Sequence, residues 1–369
     1  MAQIQLQNIS KLYGNTRAVD RLNLEIMDGE FLVLLGPSGS GKTTALNIIA
    51  GLTAPSSGSI FFDGKDVAAR PPHLRNIAMV FQSSLLYPHL TARRNIEMSL
   101  RRSGLKPEDI SARIEESAAI LNISPLLHKL PSELSGGERQ RVATAKAIVR
   151  NPTAFLLDEP LAALDAALRL TLRSELVNLQ KRLRTTTVLV THDQIEALTM
   201  GDRIAVVRDG RLEQIGTPDE IYNHPGTLFV ASFVGSPPMN FFAGERIELD
   251  SISHVRCGLI DLRVPDGMRE AVRALASGNL TVAVRPQHIR ILTDRVAPGL
   301  PVTVFSVERL GKESIVIFDG PNGTKVRAIV EPGFQAQVGD RLSIGFQADQ
   351  CLYFDSSSGR VFKPALRRV

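Results

Sequence analysis

Apolar and polar residues alternate from the start of the chain: Ile4, Leu6 and Ile9, then Leu22, Leu24 and Ile26, then the unbroken run Phe31 to Leu35. A two-residue period predicts strands, and a short all-apolar run predicts a strand buried on both faces. The run ends at Gly36, and a helix is expected from Thr43 to about Ala50. Residues 58–67 predict a hairpin, because Asp63-Gly64 is a favoured tight-turn pair. From Leu90 to Arg150 the period lengthens: Ile114, Ala118 and Leu121 share a helical face, and Pro107 and Pro125 mark segment starts. AFLLDEP (154–160) and TTVLVTHD (186–193) read as buried strands flanking a helix near Ala166–Leu183. Strand–helix–strand alternation predicts a parallel sheet carrying helices, an α/β fold.

The pattern changes after about Gly235. Residues 241–369 lack long helical periodicity apart from Met268–Ala276. Strand candidates at 280–285, 301–307, 314–318, 325–330, 341–346 and 351–354 are separated by turns such as APGLP and FDGPNG. Short strands at regular spacing predict a small all-β barrel. The expected division is therefore residues 1–235 and 236–369, with SPPMN (236–240) as the hinge. A length of 369 residues is itself more than one ordinary core accommodates.

Composition changes this picture little. The hydrophobic fraction is 43% and the charged fraction 22%, ordinary for a globular protein, and no apolar stretch reaches the length of a membrane helix. MAQIQLQNIS carries no basic segment followed by an apolar core, so it does not read as a secretory signal. The net charge of +5 is spread over pairs such as Arg93-Arg94 and Arg101-Arg102, which suits a solvated surface better than a nucleic-acid site. Cys257 and Cys351 have no metal spacing, and their scarcity suits a reducing cytosol, with one bridge left open.

The chemistry concentrates in three stretches. Gly36-Pro37-Ser38-Gly39-Ser40-Gly41-Lys42-Thr43 lies between the buried strand and the helix. Glycines let successive N–H groups face an anion, the helix N-terminus adds positive potential, and Lys42 would reach the β/γ-phosphates of a nucleotide whose Mg²⁺ the Thr43 hydroxyl would ligate. Thr44, next along, joins the candidate nucleotide contacts. Phe155-Leu156-Leu157-Asp158-Glu159 is an apolar strand ending in two acids: Asp158 for the metal, Glu159 to polarise an attacking water. Leu134-Ser135-Gly136-Gly137-Glu138-Arg139-Gln140-Arg141 reads by itself as a capping box, Ser135 and Glu138 opening a helix.

LSGGERQR together with the phosphate loop and LLDEP, in this order, resembles the ABC ATPase family over about residues 3–235. The resemblance implies a P-loop NTPase cassette whose inserted helical subdomain is the stretch at about 88–150. It implies that Gln82 senses Mg²⁺ and couples to a membrane partner, that Leu164-Asp165 forms a D-loop, that His192 contacts the γ-phosphate, and that Tyr13 stacks on adenine. Ser135, Gly136 and Gly137 would contact nucleotide held by a second copy. GSPPMNFF (235–242), VRPQHI (284–289) and VERLGKESIV (307–316) are similar to the C-terminal regulatory region, an OB-like β-barrel, of carbohydrate and glycerol-phosphate importer ATPases related to the maltose importer's. Three positions depart from that pattern: Gln287 stands where an acid is usual, Ala162 or Ala163 where Ser is, and Arg94 where an acid is frequent.

The same resemblance implies a transport-coupled ATPase using ATP and Mg²⁺, homodimeric and peripheral on the cytoplasmic side of an inner membrane. Permease subunits would dock near Gln82, an extracytoplasmic solute-binding protein would act indirectly, and no nucleic acid is expected. The solute class implied is a sugar, polyol or glycerol phosphate; polyamine, sulfate or ferric-ion import stays open. A non-transport ABC ATPase acting on ribosomes or DNA is the reading from another class. One cassette and the lack of long heptads count against it, and Lys42, Asp158, Glu159 and His192 together count against an inactive cassette.

Overall fold

The computed structural model describes residues 2–81, 85–101, 103–162, 164–249, 252–273, 278–292 and 299–362. The chain divides into two compact units, Met1–Glu220 and Ile221–Val369.

In the first unit, strands β1 (Ile4–Tyr13) and β2 (Thr16–Ile26) pair antiparallel, followed by β3 (Phe31–Leu35) and helix α1 (Lys42–Ala50). Strands β4 (Ser57–Phe62) and β5 (Lys65–Asp66) form the expected hairpin, with Asp63 and Gly64 at φ 48° and 72°. Next come β6 (Ile77–Val80), α2 (Ala92–Glu97), α3 (Pro107–Ile120), α4 (Gly136–Ile148), β7 (Ala154–Asp158), α5 (Ala166–Leu183), β8 (Thr186–Thr191), α6 (Gln194–Met200), β9 (Arg203–Arg208) and β10 (Arg211–Gly216). The central sheet has the order β10-β9-β3-β8-β7-β6. Its strands run parallel except β10, which pairs antiparallel with β9.

All five residues of β3 are buried, as a strand covered by helices on both faces requires. Leu32 and Leu34 pack in one core with Leu46, Ile48 and Ile49 of α1 and with Ile4, Leu22 and Ile60 of the antiparallel sheet. Each such side chain stabilises by about 1.5–3 kcal/mol when fully buried. Together they fix the strand end from which the loop 36–41 departs.

The second unit begins with the end of α7 (Pro218–Asn223) and with α8 (Leu228–Phe233). It continues with β11 (Asn240–Leu249), β12 (Ile252–Cys257), β13 (Ile260–Arg263), α9 (Arg269–Arg273), β14 (Asn279–Val284), β15 (Arg290–Leu292), β16 (Leu300–Arg309), β17 (Ser314–Asp319), β18 (Lys325–Val330), β19 (Arg341–Gly345) and β20 (Cys351–Asp355). Two five-stranded antiparallel sheets result, β13-β12-β11-β14-β20 and β15-β19-β16-β17-β18. They share a core in which Val282, Val302, Val316, Phe318, Ile344 and Tyr353 are fully or nearly buried.

Buried Asn240 ties the sheets together. Its amide donates to the Arg327 carbonyl at 2.8 Å, and its carbonyl accepts from the Arg327 N–H at 2.7 Å. Such a side-chain bridge satisfies polar groups that burial would otherwise leave costly. Cys257 and Cys351 are free thiols in this unit, and burial pushes the Cys257 thiol up to about 12, far from a reactive thiolate. The division after Glu220 falls before SPPMN, because Ala231 of α8 packs with Met239, Ala283 and Phe354.

Candidate active site

The loop after β3 is shaped by close backbone approach. A Cβ on Gly36 would stand 2.2 Å from the Val207 carbonyl oxygen, and one on Gly41 2.2 Å from that of Ala18. Gly41 also sits at φ 97°, a left-handed conformation that side chains rarely adopt. It occupies the N-cap of α1 with no side-chain cap, so the first amides of that helix stay open to an anion. Pro37, Ser38 and Gly39 form the outward part of the loop, Ser38 and Gly39 exposed, while Ser40 is buried and its carbonyl accepts from the Gly210 N–H at 3.0 Å. Thr43 is exposed and Thr44 half-buried in the first turn of α1.

Lys42 is only 5% exposed. Its ammonium donates to the Gly36 and Pro37 carbonyls at 2.8 and 2.9 Å, and burial lowers its pKa against the opposing pull of Glu159 and Asp158. The far end of α1 is closed by Arg75, which the sequence pattern does not single out. Its guanidinium is 4% exposed and donates to the Ile48 and Ile49 carbonyls at 2.8 Å, the Arg70 carbonyl at 2.8 Å and the Ala68 carbonyl at 3.2 Å. A cation at a helix C-terminus stabilises the helix dipole. The available signal is a lone arginine between apolar runs, which is too common to mark a role.

Strands β7 and β8 run parallel to β3, so their C-terminal ends open beside the loop, where open α/β sheets place ligands. Asp158 ends β7, and Thr43 donates its hydroxyl to Asp158 Oδ1 at 3.0 Å. Burial raises the Asp158 pKa, offset in part by that hydrogen bond. A hydroxyl and a carboxylate oxygen side by side form a hard donor pair that suits Mg²⁺ with phosphate and water completing its shell. Among the described residues no group of three or more His, Cys, Asp and Glu could hold a metal unaided.

Glu159 follows at φ 45°, a strained conformation for a non-glycine residue, held by its N–H to the Val190 carbonyl at 2.9 Å. That bend brings Glu159 Oε1 to 3.0 Å from Nδ1 of His192, just past the end of β8. Lys42, Thr43, Asp158, Glu159 and His192 thus converge. Tyr13 stands at the end of β1 with 51% of its surface exposed and the Lys11 ammonium 5.1 Å from its ring centre. Gln82 lies outside the described residues.

Ser135, Gly136 and Gly137 belong to a second group. Ser135 caps α4: its hydroxyl accepts from the Glu138 N–H at 3.3 Å, and the Glu138 carboxylate accepts from the Ser135 N–H at 2.7 Å. The Ser135 hydrogen bonds hold the Glu138 pKa below its usual range. A Cβ on Gly137 would meet Leu168 Cδ2 at 2.6 Å, so the start of α4 packs tightly on α5. Asp165 caps α5, accepting from the Leu168 N–H at 2.9 Å.

The model of the ABC transporter family matches residues 19–162, and that of the TOBE domain matches residues 282–354. The chain is 44% identical to the osmoprotective compounds uptake ATP-binding protein of Synechocystis, over 96% of this chain and 98% of that protein. It is 43% identical to the trehalose import ATP-binding protein of Mycobacterium tuberculosis, over 97% and 98%. It is likewise 43% identical to an sn-glycerol-3-phosphate import ATP-binding protein of Agrobacterium fabrum, over 98% and 100%. Among solved structures, a dimeric ATP-binding cassette in a post-hydrolysis state with ADP and Pi superposes with a TM-score of 0.53 at 34% identity, covering 58% of this chain and 98% of that one. An open phosphate loop, two acids and a histidine at strand ends, and 43–44% identity over nearly the full length to ATP-binding proteins of transporters make this chain an ATPase of the ABC transporter family.

Proposed function

We propose that two copies of this chain form the ATP-driven motor of an importer for a sugar, polyol or glycerol phosphate, peripheral on the cytoplasmic side of the inner membrane. The solutes for which the relatives are named, trehalose and glycerol phosphate among them, support that class. The dimeric cassette structure supports pairing. No helix among the described residues is long and apolar enough to cross a membrane, which leaves the crossing to permease partners that would dock near Gln82. An extracytoplasmic binding protein would deliver the solute. Residues 236–369 would serve as the regulatory part and residues 1–235 as the nucleotide-binding part.

In this reading Tyr13 stacks on adenine, and the amides of Gly39, Ser40, Gly41, Lys42, Thr43 and Thr44 hold the phosphates with the Lys42 ammonium. Thr43, Asp158 and Gln82 would hold Mg²⁺, which when bound neutralises charge between the β- and γ-phosphates. Glu159 polarises the attacking water, and His192, oriented by Glu159, donates toward the γ-phosphate. Ser135, Gly136 and Gly137 of one copy, beside Asp165, close over the nucleotide of the other. The observation that carries the proposal is the convergence of Lys42, Thr43–Asp158 and Glu159–His192 beside an uncapped helix N-terminus.

Two measurements test it. Glu159→Gln retains ATP binding, loses about 10²–10⁴-fold in turnover and accumulates a closed dimer; near-wild-type turnover overturns the assignment of the base. Reconstitution with co-purified membrane subunits, assayed against a solute panel, yields ATPase stimulation by a carbohydrate, polyol or glycerol phosphate. Stimulation by a polyamine, sulfate or ferric complex instead, or co-purification with ribosomal RNA, overturns the solute class or the transport role.

A further inference from the structure

Arg169, on the first turn of α5, reaches two functional loops at once. Its Nη2 donates to the Leu164 carbonyl at 3.1 Å, immediately before Asp165. Its Nη1 lies 3.5 Å from Asp193 Oδ2, immediately after His192. The other oxygen of Asp193 is engaged separately: Oδ1 accepts from the Ile195 and Glu196 N–H groups at 2.7 and 3.1 Å and so caps α6. The turn is gripped from behind as well, since the Asp193 N–H donates to Thr191 Oγ1 at 3.0 Å and that hydroxyl donates to buried Glu196 at 2.6 Å. His192 is therefore suspended between two residues whose side chains are both held, and its ring meets Glu159 at 3.0 Å.

We propose that Arg169 is a positioning residue for ATP hydrolysis: its planar guanidinium ties the backbone before Asp165 to the turn that carries His192, so that the Asp165 segment and the histidine move as one. The proposal rests on the reading of His192 and Glu159 as the groups that act on the γ-phosphate and its water. Two features make an arginine suited to the task. The fork presents parallel donors to a carbonyl and a carboxylate simultaneously, which a lysine ammonium matches only in part. The two partners lie in loops that follow different strands, β7 and β8, and Leu164 also packs 3.6 Å from a Cβ built on Gly136 at the head of α4. The chain of contacts thus runs from the start of α4, through Leu164 and Arg169, to the flank of His192.

The test uses the purified full-length chain carrying Arg169→Met, Arg169→Lys or Asp193→Asn, with Lys42→Ala as control. Asn is a good helix cap, so Asp193→Asn keeps the α6 cap and removes only the charge facing Arg169. Steady-state kcat and KM for ATP, equilibrium binding of a fluorescent ATP analogue, and thermal unfolding are measured. Arg169→Met is expected to lower kcat roughly ten- to hundredfold, the scale of a misplaced catalytic group, with binding changed less than about twofold. Arg169→Lys recovers part of kcat, Asp193→Asn lowers it, and Arg169→Met/Asp193→Asn is no worse than the poorer single variant. Wild-type kcat in Arg169→Met or Asp193→Asn, a parallel loss of binding and kcat, or additive single effects overturns the proposal. Should Arg169→Met not fold, Asp193→Asn and Arg169→Lys decide in the same way. If Lys42→Ala keeps full nucleotide binding, the reading of the site itself falls. If Lys42→Ala loses binding while Arg169→Met turns over normally, only the role of Arg169 falls.

Discussion

Helices α1 and α4 both carry glycines at their N-terminal ends that are proposed to meet nucleotide, yet those ends are built in opposite ways. At α1 the cap is Gly41, no side chain covers the first turn, and the nearby cation is Lys42. At α4 the cap is Ser135, whose hydroxyl takes the Glu138 amide while the Glu138 carboxylate takes the Ser135 amide. The first end stands open to an anion; at the second the Ser135 and Glu138 amides are taken by the capping box, and Glu138 puts a negative charge in the first turn. On the proposed reading the contrast teaches how a chain could hold one phosphate site ready and another provisional: the first would bind alone, and the second would engage when a partner copy delivers a nucleotide to it.

The comparison breaks most sharply at Gly41. Gly41→Ala forces a Cβ to 2.2 Å from the Ala18 carbonyl at a left-handed φ of 97°, so nucleotide affinity is expected to fall by more than about a hundredfold, as equilibrium binding would show. Wild-type affinity in that variant means that the open terminus is not the phosphate site. Ser135→Arg should leave affinity within about threefold while lowering turnover by at least about tenfold, since it obstructs only the provisional end. If affinity drops as far as turnover, the two ends are not independent. A mixture of Ser135→Arg and Lys42→Ala chains can assemble one intact composite site, and a photoreactive γ-phosphate analogue should then crosslink to the 135 segment of the other chain. Labelling confined to the chain that binds would remove the shared-site model.

Smaller effects sharpen the contrast. Ser135→Ala removes the α4 cap and should cost about 1 kcal/mol of stability in denaturant unfolding, while no equivalent side-chain cap exists to delete at α1. Glu138→Gln keeps an acceptor for the Ser135 N–H but removes the charge. ATP-driven dimer closure should therefore need about two- to fivefold less nucleotide, measured by analytical ultracentrifugation. An unchanged requirement would show that the carboxylate swings clear of the incoming phosphate.

The sequence is most legible where one residue type has one physical use. The glycines of the phosphate loop, the acids ending β7 and the Asp63-Gly64 turn are each readable, and the structure brings Lys42, Asp158, Glu159 and His192 together at the strand ends. Strands β14 and β16 to β20 are also visible, because their apolar faces alternate with few interruptions, whereas β15, three residues long, is too short to show a period. Strands β11, β12 and β13 escape for two reasons: β11 loses its alternation after Gly244, and β12 and β13 alternate, with Val255, Cys257, Ile260 and Leu262 buried, but over only six and four residues rich in charge. The β9–β10 hairpin escapes too, although Asp209-Gly210 repeats the Asp63-Gly64 signal at φ 49° and 77°. Arg75 and Arg169 leave no trace in the pattern, because their partners are backbone carbonyls and a distant carboxylate that only folding brings near.

Lys42 satisfies itself on the carbonyls of Gly36 and Pro37, so arrival of a nucleotide is an exchange reaction. The number of hydrogen bonds on the ammonium hardly changes; neutral acceptors would be traded for anionic ones, which adds ion-pair attraction to bonds already charged on the donor side. Discrimination at this lysine therefore grades with the charge its ligand presents. On the proposed reading a triphosphate would offer γ-oxygens that compensate for leaving both carbonyls, and a diphosphate or monophosphate successively less. Such a loop would, on the same reading, reset itself after each turnover: once the terminal phosphate departs, the Gly36 and Pro37 carbonyls would reclaim the ammonium and so favour release of the spent nucleotide.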